Sequence, residues 1–162
     1  MRVQLAPGLT LYRAPEGKGD LRLVDGRGQL VLDIHRAATA PKSAMPAPVV
    51  GQLEVVSNRS RRWSQSKATA SLKAAPPADA RAVIMYAVDH GKRTPIAFAL
   101  LPDTHDKLDS IDVFRDAGHC DSLPPGTRAP TKGEQIALAW VDAYGRLSPT
   151  SAPIATKAPA NE

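Results

Sequence analysis

The chain has 162 residues, a formal net charge of +5 and one cysteine, and aromatic residues make up only 4% of it, so its core must be built mainly from valine, leucine, isoleucine and alanine. A single cysteine excludes an intramolecular disulfide, and no apolar run approaches the roughly 18 residues that span a bilayer. Fifteen prolines and eleven glycines predict many turns and few long helices, which favours an all-β fold.

Polar and turn-forming residues interrupt any signal-peptide core at the start of the chain, because Gln4, Pro7 and Gly8 closely follow Arg2. Neither a signal peptide nor a transmembrane segment is therefore expected. The sequence leaves the location open: extracellular or on a surface if a signal has been removed, and cytoplasmic otherwise.

Residues 1–75 predict a small β unit. Residues 9–13 alternate between apolar and polar side chains, as a short strand does. Two apolar runs, 21–24 and 30–34, flank an Asp-Gly turn and predict a hairpin. Residues 37–48 are rich in alanine and proline and predict an extended linker, because a residue before proline disfavours the α region.

A basic segment, residues 59–73, carries five basic residues and no acid, which accounts for the whole net charge. Arginine holds phosphates and tryptophan stacks on bases, so one hypothesis is a polyanion or nucleic-acid binder. The competing interpretation is a solvated outer face of a strand, which is what most charge runs form. The candidate binding residues are Arg59, Arg61, Arg62 and Trp63.

An acidic segment, residues 103–121, carries six aspartates against two basic residues. Carboxylates suit Ca²⁺, and histidine with carboxylates suits Zn²⁺, so a second hypothesis is a metal-dependent binder or small enzyme using this region. The spacing lacks the glycine and terminal glutamate of an EF-hand, and the competing interpretation is a solvated loop. The candidate metal ligands are Asp103, His105, Asp106 and Asp109.

No sequence motif of an established catalytic class is present, and a non-catalytic protein without a cofactor is favoured. His119 and Cys120 are neighbours, but adjacent side chains in an extended segment point to opposite sides. His119 is therefore poorly placed to activate the thiol, because a nucleophile needs its base within hydrogen-bond reach.

The C-terminal half predicts the strands of a buried sheet. Apolar runs at 82–88 and 96–101 are separated by a turn. Further on, Ile136, Leu138 and Trp140 alternate with smaller residues, so the three large side chains share one face of a strand. We expect that face to be buried and Trp140 to be a core residue.

A tight corner and a second strand follow. Gly145 is expected at φ > 0, so Gly145→Val is expected to destabilise the protein more than Arg146→Val. Pro149 and Pro153 place the second strand at a sheet edge, because proline cannot donate to a strand ladder. Residues 158–162 predict a flexible tail.

Three stretches resemble fibronectin type III domains. Residues 139–149, AWVDAYGRLSP, are similar to the last strand pair of that family, whose corner reads D-x-x-G-x-x-S. Residues 111–118, IDVFRDAG, are similar to a middle strand and its turn, and 96–103, IAFALLPD, to the strand before it. The resemblance covers about residues 78–157. It implies a fibronectin-III-like or immunoglobulin-like β-sandwich, preceded here by the smaller β unit. The sequence leaves open whether the two share one core.

That resemblance implies a non-catalytic interaction or structural module of a bacterial surface, secreted or phage-tail-like assembly. A protein partner is expected, which offers an acidic surface or is a second copy of the chain. The basic segment and the acidic segment either face each other within one molecule or meet between molecules. We favour the second arrangement, because an exposed intramolecular ion pair contributes only about 0–1 kcal/mol.

Overall fold

A computed structural model describes residues 2–12, 21–24, 30–34, 43–59, 64–116 and 123–158. Those residues form eleven strands and no helix, which confirms the predicted all-β class. The strands are β1 (Arg2–Ala6), β2 (Leu9–Tyr12), β3 (Leu21–Val24), β4 (Leu30–Ile34), β5 (Val50–Arg59), β6 (Ser64–Leu72), β7 (Ala80–Asp89), β8 (Lys92–Leu100), β9 (Ser110–Asp116), β10 (Gln135–Asp142) and β11 (Ile154–Ala155).

The strands form three antiparallel sheets. The N-terminal sheet has the order β1-β2-β3-β4, the central sheet β11-β10-β7-β8, and the three-stranded sheet β5-β6-β9. The central and three-stranded sheets pack face to face around the main core, so the general prediction of a β-sandwich is confirmed. Main-core residues include Leu53, Ala68, Ala70, Leu72, Ile111, Val113 and Phe114 from the three-stranded sheet and Val83, Met85, Ile96, Ile136, Leu138 and Trp140 from the central sheet.

The main core joins the two halves of the chain. Strands β5 and β6 precede residue 75, whereas β9 and the central sheet follow residue 78. Strand β6 pairs directly with β9, for example Ala70 with Ile111. Because the two halves contribute to one core, neither the three-stranded sheet nor the main core can be assigned to the N-terminal unit alone.

Strand β10 is buried on both faces, whereas its alternation predicts one buried face. Trp140 is 1% exposed and lies in the main core, as predicted. On the opposite face of the central sheet, Ile84 and Val141 pack with Leu5 and Leu9 of the N-terminal sheet. The smaller residues of β10 are themselves apolar, so a second sheet can cover them. Alternation of large and small apolar residues thus does not indicate a solvent-exposed face.

The β7–β8 hairpin closes at the predicted turn. Asp89 pairs with Lys92, and the two residues between them, His90 and Gly91, have φ of 48° and 78°. Positive φ at both central residues is typical of a type I′ turn, whose twist matches that of the flanking strands. Gly145 also has a positive φ, of 75°, which confirms the predicted corner.

Serine side chains attach the proline-containing segment to the edge of the central sheet. The segment ends in β11, which is the edge strand, as its prolines predict. The hydroxyl oxygen of Ser148 accepts a hydrogen bond from the Trp140 N–H at 2.8 Å, and that of Ser151 accepts from the Leu138 N–H at 2.9 Å. Both serines are buried. Their hydroxyls accept hydrogen bonds from N–H groups of β10, beside a proline-containing segment that cannot form a regular strand ladder.

Ser151→Ala is expected to lower the free energy of unfolding by about 1–3 kcal/mol, because it leaves the buried N–H of Leu138 without that acceptor. Chemical denaturation measures the loss. Thr150→Ala is the matched control, since the Thr150 side chain makes no hydrogen bond to any described residue. Equal losses in the two variants would mean that the Ser151 hydroxyl does not stabilise this edge.

Candidate interaction surface

The outward side of the three-stranded sheet is polar, and the strand register defines it. Ala68, Ala70 and Leu53 point inward to the main core, so the residues between them point outward. We call this surface the polar face. Its members are Gln52, Glu54, Lys67, Thr69, Ser71, Ser110, Asp112 and Arg115, together with the half-buried Val56, which pairs with Lys67.

A β-bulge in β9 keeps two charged residues on the polar face. The pairing register shifts between Ala68 and Thr69, which leaves Val113 as an extra residue. Val113 and its neighbour Phe114 are both buried, at 0% and 4% exposure. Because two consecutive side chains turn inward at the bulge, Asp112 before it and Arg115 after it both remain outside.

The charges of the polar face are unevenly paired. Asp112 Oδ1 accepts a hydrogen bond from the Thr69 hydroxyl at 2.9 Å and lies 3.4 Å from Lys67 Nζ. Lys67 and Arg115 are direct cross-strand partners, and like charges in that position are destabilising. Lys67 therefore has an acidic neighbour, whereas Arg115 makes no ion pair with any of the described residues.

The register also places the two oppositely charged segments side by side. Strand β6 belongs to the basic segment and β9 to the acidic segment, and they pair in one sheet. Lys67 and Asp112 thus meet within one molecule. This intramolecular contact is one of the two arrangements that the sequence left open.

The edges on one side of the sandwich are closed by the C-terminal part of the chain. The Val55 N–H donates to the carbonyl of Lys157 at 2.8 Å, and the Lys157 N–H donates to the carbonyl of Leu53 at 2.8 Å. This covers the middle of β5. The proline-containing segment held by the two serines covers β10. Addition of a partner strand is therefore obstructed at both places.

The edges on the other side are also obstructed. Strand β8 contains Pro95 and has a register shift beside it, and the Arg128 N–H donates to the carbonyl of Ile96 at 3.0 Å. Strand β9 has the bulge at Val113 and three charged residues. Prolines, bulges and charges are the usual devices against edge-to-edge pairing. A partner is therefore more easily accommodated on a face than at an edge.

One of the four residues predicted as a metal site, His105, contacts two backbone carbonyl groups. His105 is 6% exposed, and its Nδ1 and Nε2 lie 3.0 Å and 2.8 Å from the carbonyl oxygens of Pro102 and Pro77. The ring thereby links the β6–β7 and β8–β9 loops. Asp103, Asp106 and Asp109 are exposed. Within the described part of the chain, no three histidine, cysteine, aspartate or glutamate side chains are grouped to hold a metal ion.

The predicted basic site lies largely outside the described residues. Arg59 ends β5, where its backbone pairs with Ser64. Arg61, Arg62 and Trp63 are outside the described ranges, as is Cys120, so their interpretation stays a prediction.

A buried ion pair holds the corner after β10. Asp142 is 0% exposed, and its carboxylate accepts hydrogen bonds from the Tyr144 N–H at 2.9 Å, the Arg146 N–H at 2.7 Å and Arg146 Nε at 2.6 Å. Arg146 Nη1 also donates to the carbonyl of Ser43 at 3.1 Å. The expected ranking of Gly145→Val above Arg146→Val rests on the backbone angle of Gly145 alone and stays a prediction. Loss of Arg146 also has a cost, because it leaves a buried carboxylate without its cation.

The groups with clearly shifted pKa values lie away from the polar face. Hydrogen bonding from Arg128 is the main cause that lowers the pKa of Glu134, and Thr131 adds to it; the same contact raises the pKa of Arg128. Burial raises the pKa of Tyr86, which packs against the N-terminal sheet, and Arg93 partly offsets that. These shifts follow from loop anchoring and from packing, and they do not identify a catalytic group.

The described residues thus define an all-β protein built on a β-sandwich, with a polar face on its three-stranded sheet. Comparisons with protein-family models, with curated proteins and with solved structures find no match to this chain. Over the described ranges, no helix has the length and apolar character to cross a membrane.

Proposed function

We propose that the protein is a non-catalytic interaction or structural module that binds a protein partner through the polar face. One observation carries the proposal: the central sheet is covered on both sides, by the three-stranded sheet and by the N-terminal sheet. Among the described sheets of the sandwich, the three-stranded one therefore keeps an exposed face. The obstructed edges of the two sandwich sheets also favour this face as the place where a partner binds.

We also propose a fibronectin-III-like type for the sandwich formed by β5 to β11. Constant-type immunoglobulin domains place their fourth strand beside the fifth. Here the fourth strand of the sandwich, β8, pairs with the third, β7, which gives a division into three and four strands. This order supports the fibronectin-III-like type over the constant-type immunoglobulin one. The bacterial surface, secreted or phage-tail-like setting is supported by the resemblance in sequence alone.

A photo-crosslinking residue tests where the partner binds. Benzoylphenylalanine in place of Ser71 lies on the polar face, and the same residue in place of exposed Lys132 lies in the loop before β10. In the cells that make the protein, we expect one defined adduct from position 71 and none from position 132. No adduct from position 71, or the same adducts from both positions, would contradict the use of this face.

A further inference from the structure

We propose that the partner on the polar face is a second copy of this chain, bound about a two-fold axis that pairs Asp112 of each copy with Arg115 of the other. The proposal rests on the proposed function, because it names the partner of the same face. It starts from the pattern of charge on the three strands and from the incomplete pairing of two residues.

The polar face has an acidic row beside a basic row. Cross-strand pairing aligns Glu54, Thr69 and Asp112 in one row, with Lys157 bridged to Glu54 at its end. The next row is Val56, Lys67 and Arg115. The two rows lie about 6–7 Å apart, since each strand rises roughly 3.3 Å per residue. On the three strands, one row carries two acidic residues and the other two basic residues, and opposite charges follow one another on β9, as Asp112 and Arg115.

Two-fold symmetry makes such a pattern self-complementary. A two-fold axis between two stacked copies, parallel to the rows and midway between them, places the acidic row of one copy over the basic row of the other. The position along each row is kept, so Asp112 lies over Arg115, and the reciprocal contact forms at the same time. Glu54 then lies over Val56, and Thr69 over Lys67, so the two Asp112–Arg115 contacts are the ion pairs between the rows. In an isologous interface every contact occurs twice in this way.

The contacts within one molecule leave Asp112 and Arg115 available to pair with a second copy. Both contacts of Asp112, from Thr69 and from Lys67, end on Oδ1, and Oδ2 has no partner among the described residues. Arg115 faces Lys67 across the strands, and a carboxylate from a second copy offsets that like-charge repulsion. The remaining Asp112 oxygen can accept one charge-assisted hydrogen bond from the guanidinium of the second copy.

The interface is of the weak, transient class. A face three strands wide buries less than the roughly 1,200 Å² of a standard interface, and exposed ion pairs add little. We expect a dissociation constant on the order of 1 mM at low salt, weakening as salt rises. Such contacts become effective when several copies are held together, because linkage raises their effective concentration.

Sedimentation equilibrium at low salt tests the pairing with charge exchanges. Asp112→Arg and Arg115→Asp are each expected to weaken self-association at least about tenfold, since each places like charges in both symmetry-related contacts. An equimolar mixture of the two variants is expected to associate about as tightly as the parent, because every contact then joins opposite charges. The exchange Asp106→Arg, in the β8–β9 loop and off the face, is the control and is expected to leave association unchanged.

Three results would overturn the second copy as partner: a parent chain that stays monomeric to about 1 mM, single exchanges that associate like the parent, or a mixture no tighter than its components. Restored association in the mixture also shows that both variants are folded. The crosslink from position 71 separates the two proposals. The same position is therefore also irradiated in the purified chain at about 1 mM, near the expected dissociation constant. There an adduct of twice the chain mass supports self-association and its absence overturns it. In cells, an adduct with another protein keeps the proposed function alone, and no adduct in either experiment removes both.

Discussion

Trp140→Ala is expected to lower the free energy of unfolding by about 3–5 kcal/mol, as large aromatic truncations in cores do. The indole is 1% exposed and lies between the two sheets of the sandwich. Its removal leaves a cavity beside β10. Strand β10 is hydrogen-bonded to a neighbour on each side, to β7 and to β11. A strand paired on both sides cannot easily move inward to fill that cavity.

Urea denaturation of the parent and the variant measures this loss. Trp140→Phe is the matched control, because it keeps an aromatic ring and removes less volume, so a smaller loss is expected. A Trp140→Ala variant that unfolds at the same urea concentration as the parent would contradict the position of Trp140 in the core.

Asp142→Ala is expected to cost about 3–5 kcal/mol, the range seen when one partner of a buried ion pair is removed. The carboxylate accepts from two backbone N–H groups and from the guanidinium of Arg146, whose side chain is only 33% exposed. The variant leaves all three donors without that acceptor. It also releases a corner that connects β10 with the segment containing Ser43.

Thermal and chemical denaturation measure the effect, with Asp106→Ala as the control. Asp106 is an exposed aspartate outside the sheets, so its loss is expected to change stability by less than about 0.5 kcal/mol. Arg146→Leu is expected to be nearly as costly as Asp142→Ala, because it leaves the carboxylate buried and unpaired. A double variant that costs no more than either single change would support coupling of the two residues.

Local features of the chain were predictable because short-range chemistry determines them. Alternation in β10 predicted a strand with Trp140 inside, and the prolines at 149 and 153 predicted an edge. Gly145 and the residues after Asp89 predicted turns, since positive φ is strongly restricted for most other residues. The all-β class followed from many such signals and the scarcity of long helical patterns.

The candidate site followed from the sequence only in part. The basic and acidic segments were visible as charge runs, but their pairing in one sheet depends on the register of β6 with β9. A histidine among aspartates predicts a metal site from residue types alone. The structure places the ring of His105 beside two carbonyl oxygens and leaves its aspartate neighbours exposed, positions that no local pattern specifies.

Strand segments and turns follow from the sequence alone, because each depends on a few neighbouring residues. Which faces of the sheets are covered depends on how the sheets assemble. The N-terminal sheet lies on Ile84 and Val141, and the C-terminal Lys157 lies along β5, contacts between residues far apart in the chain. Such contacts depend on how whole sheets fit together, and no local pattern encodes them. The polar face is exposed because, among the described sheets, none packs on that side of the three-stranded sheet.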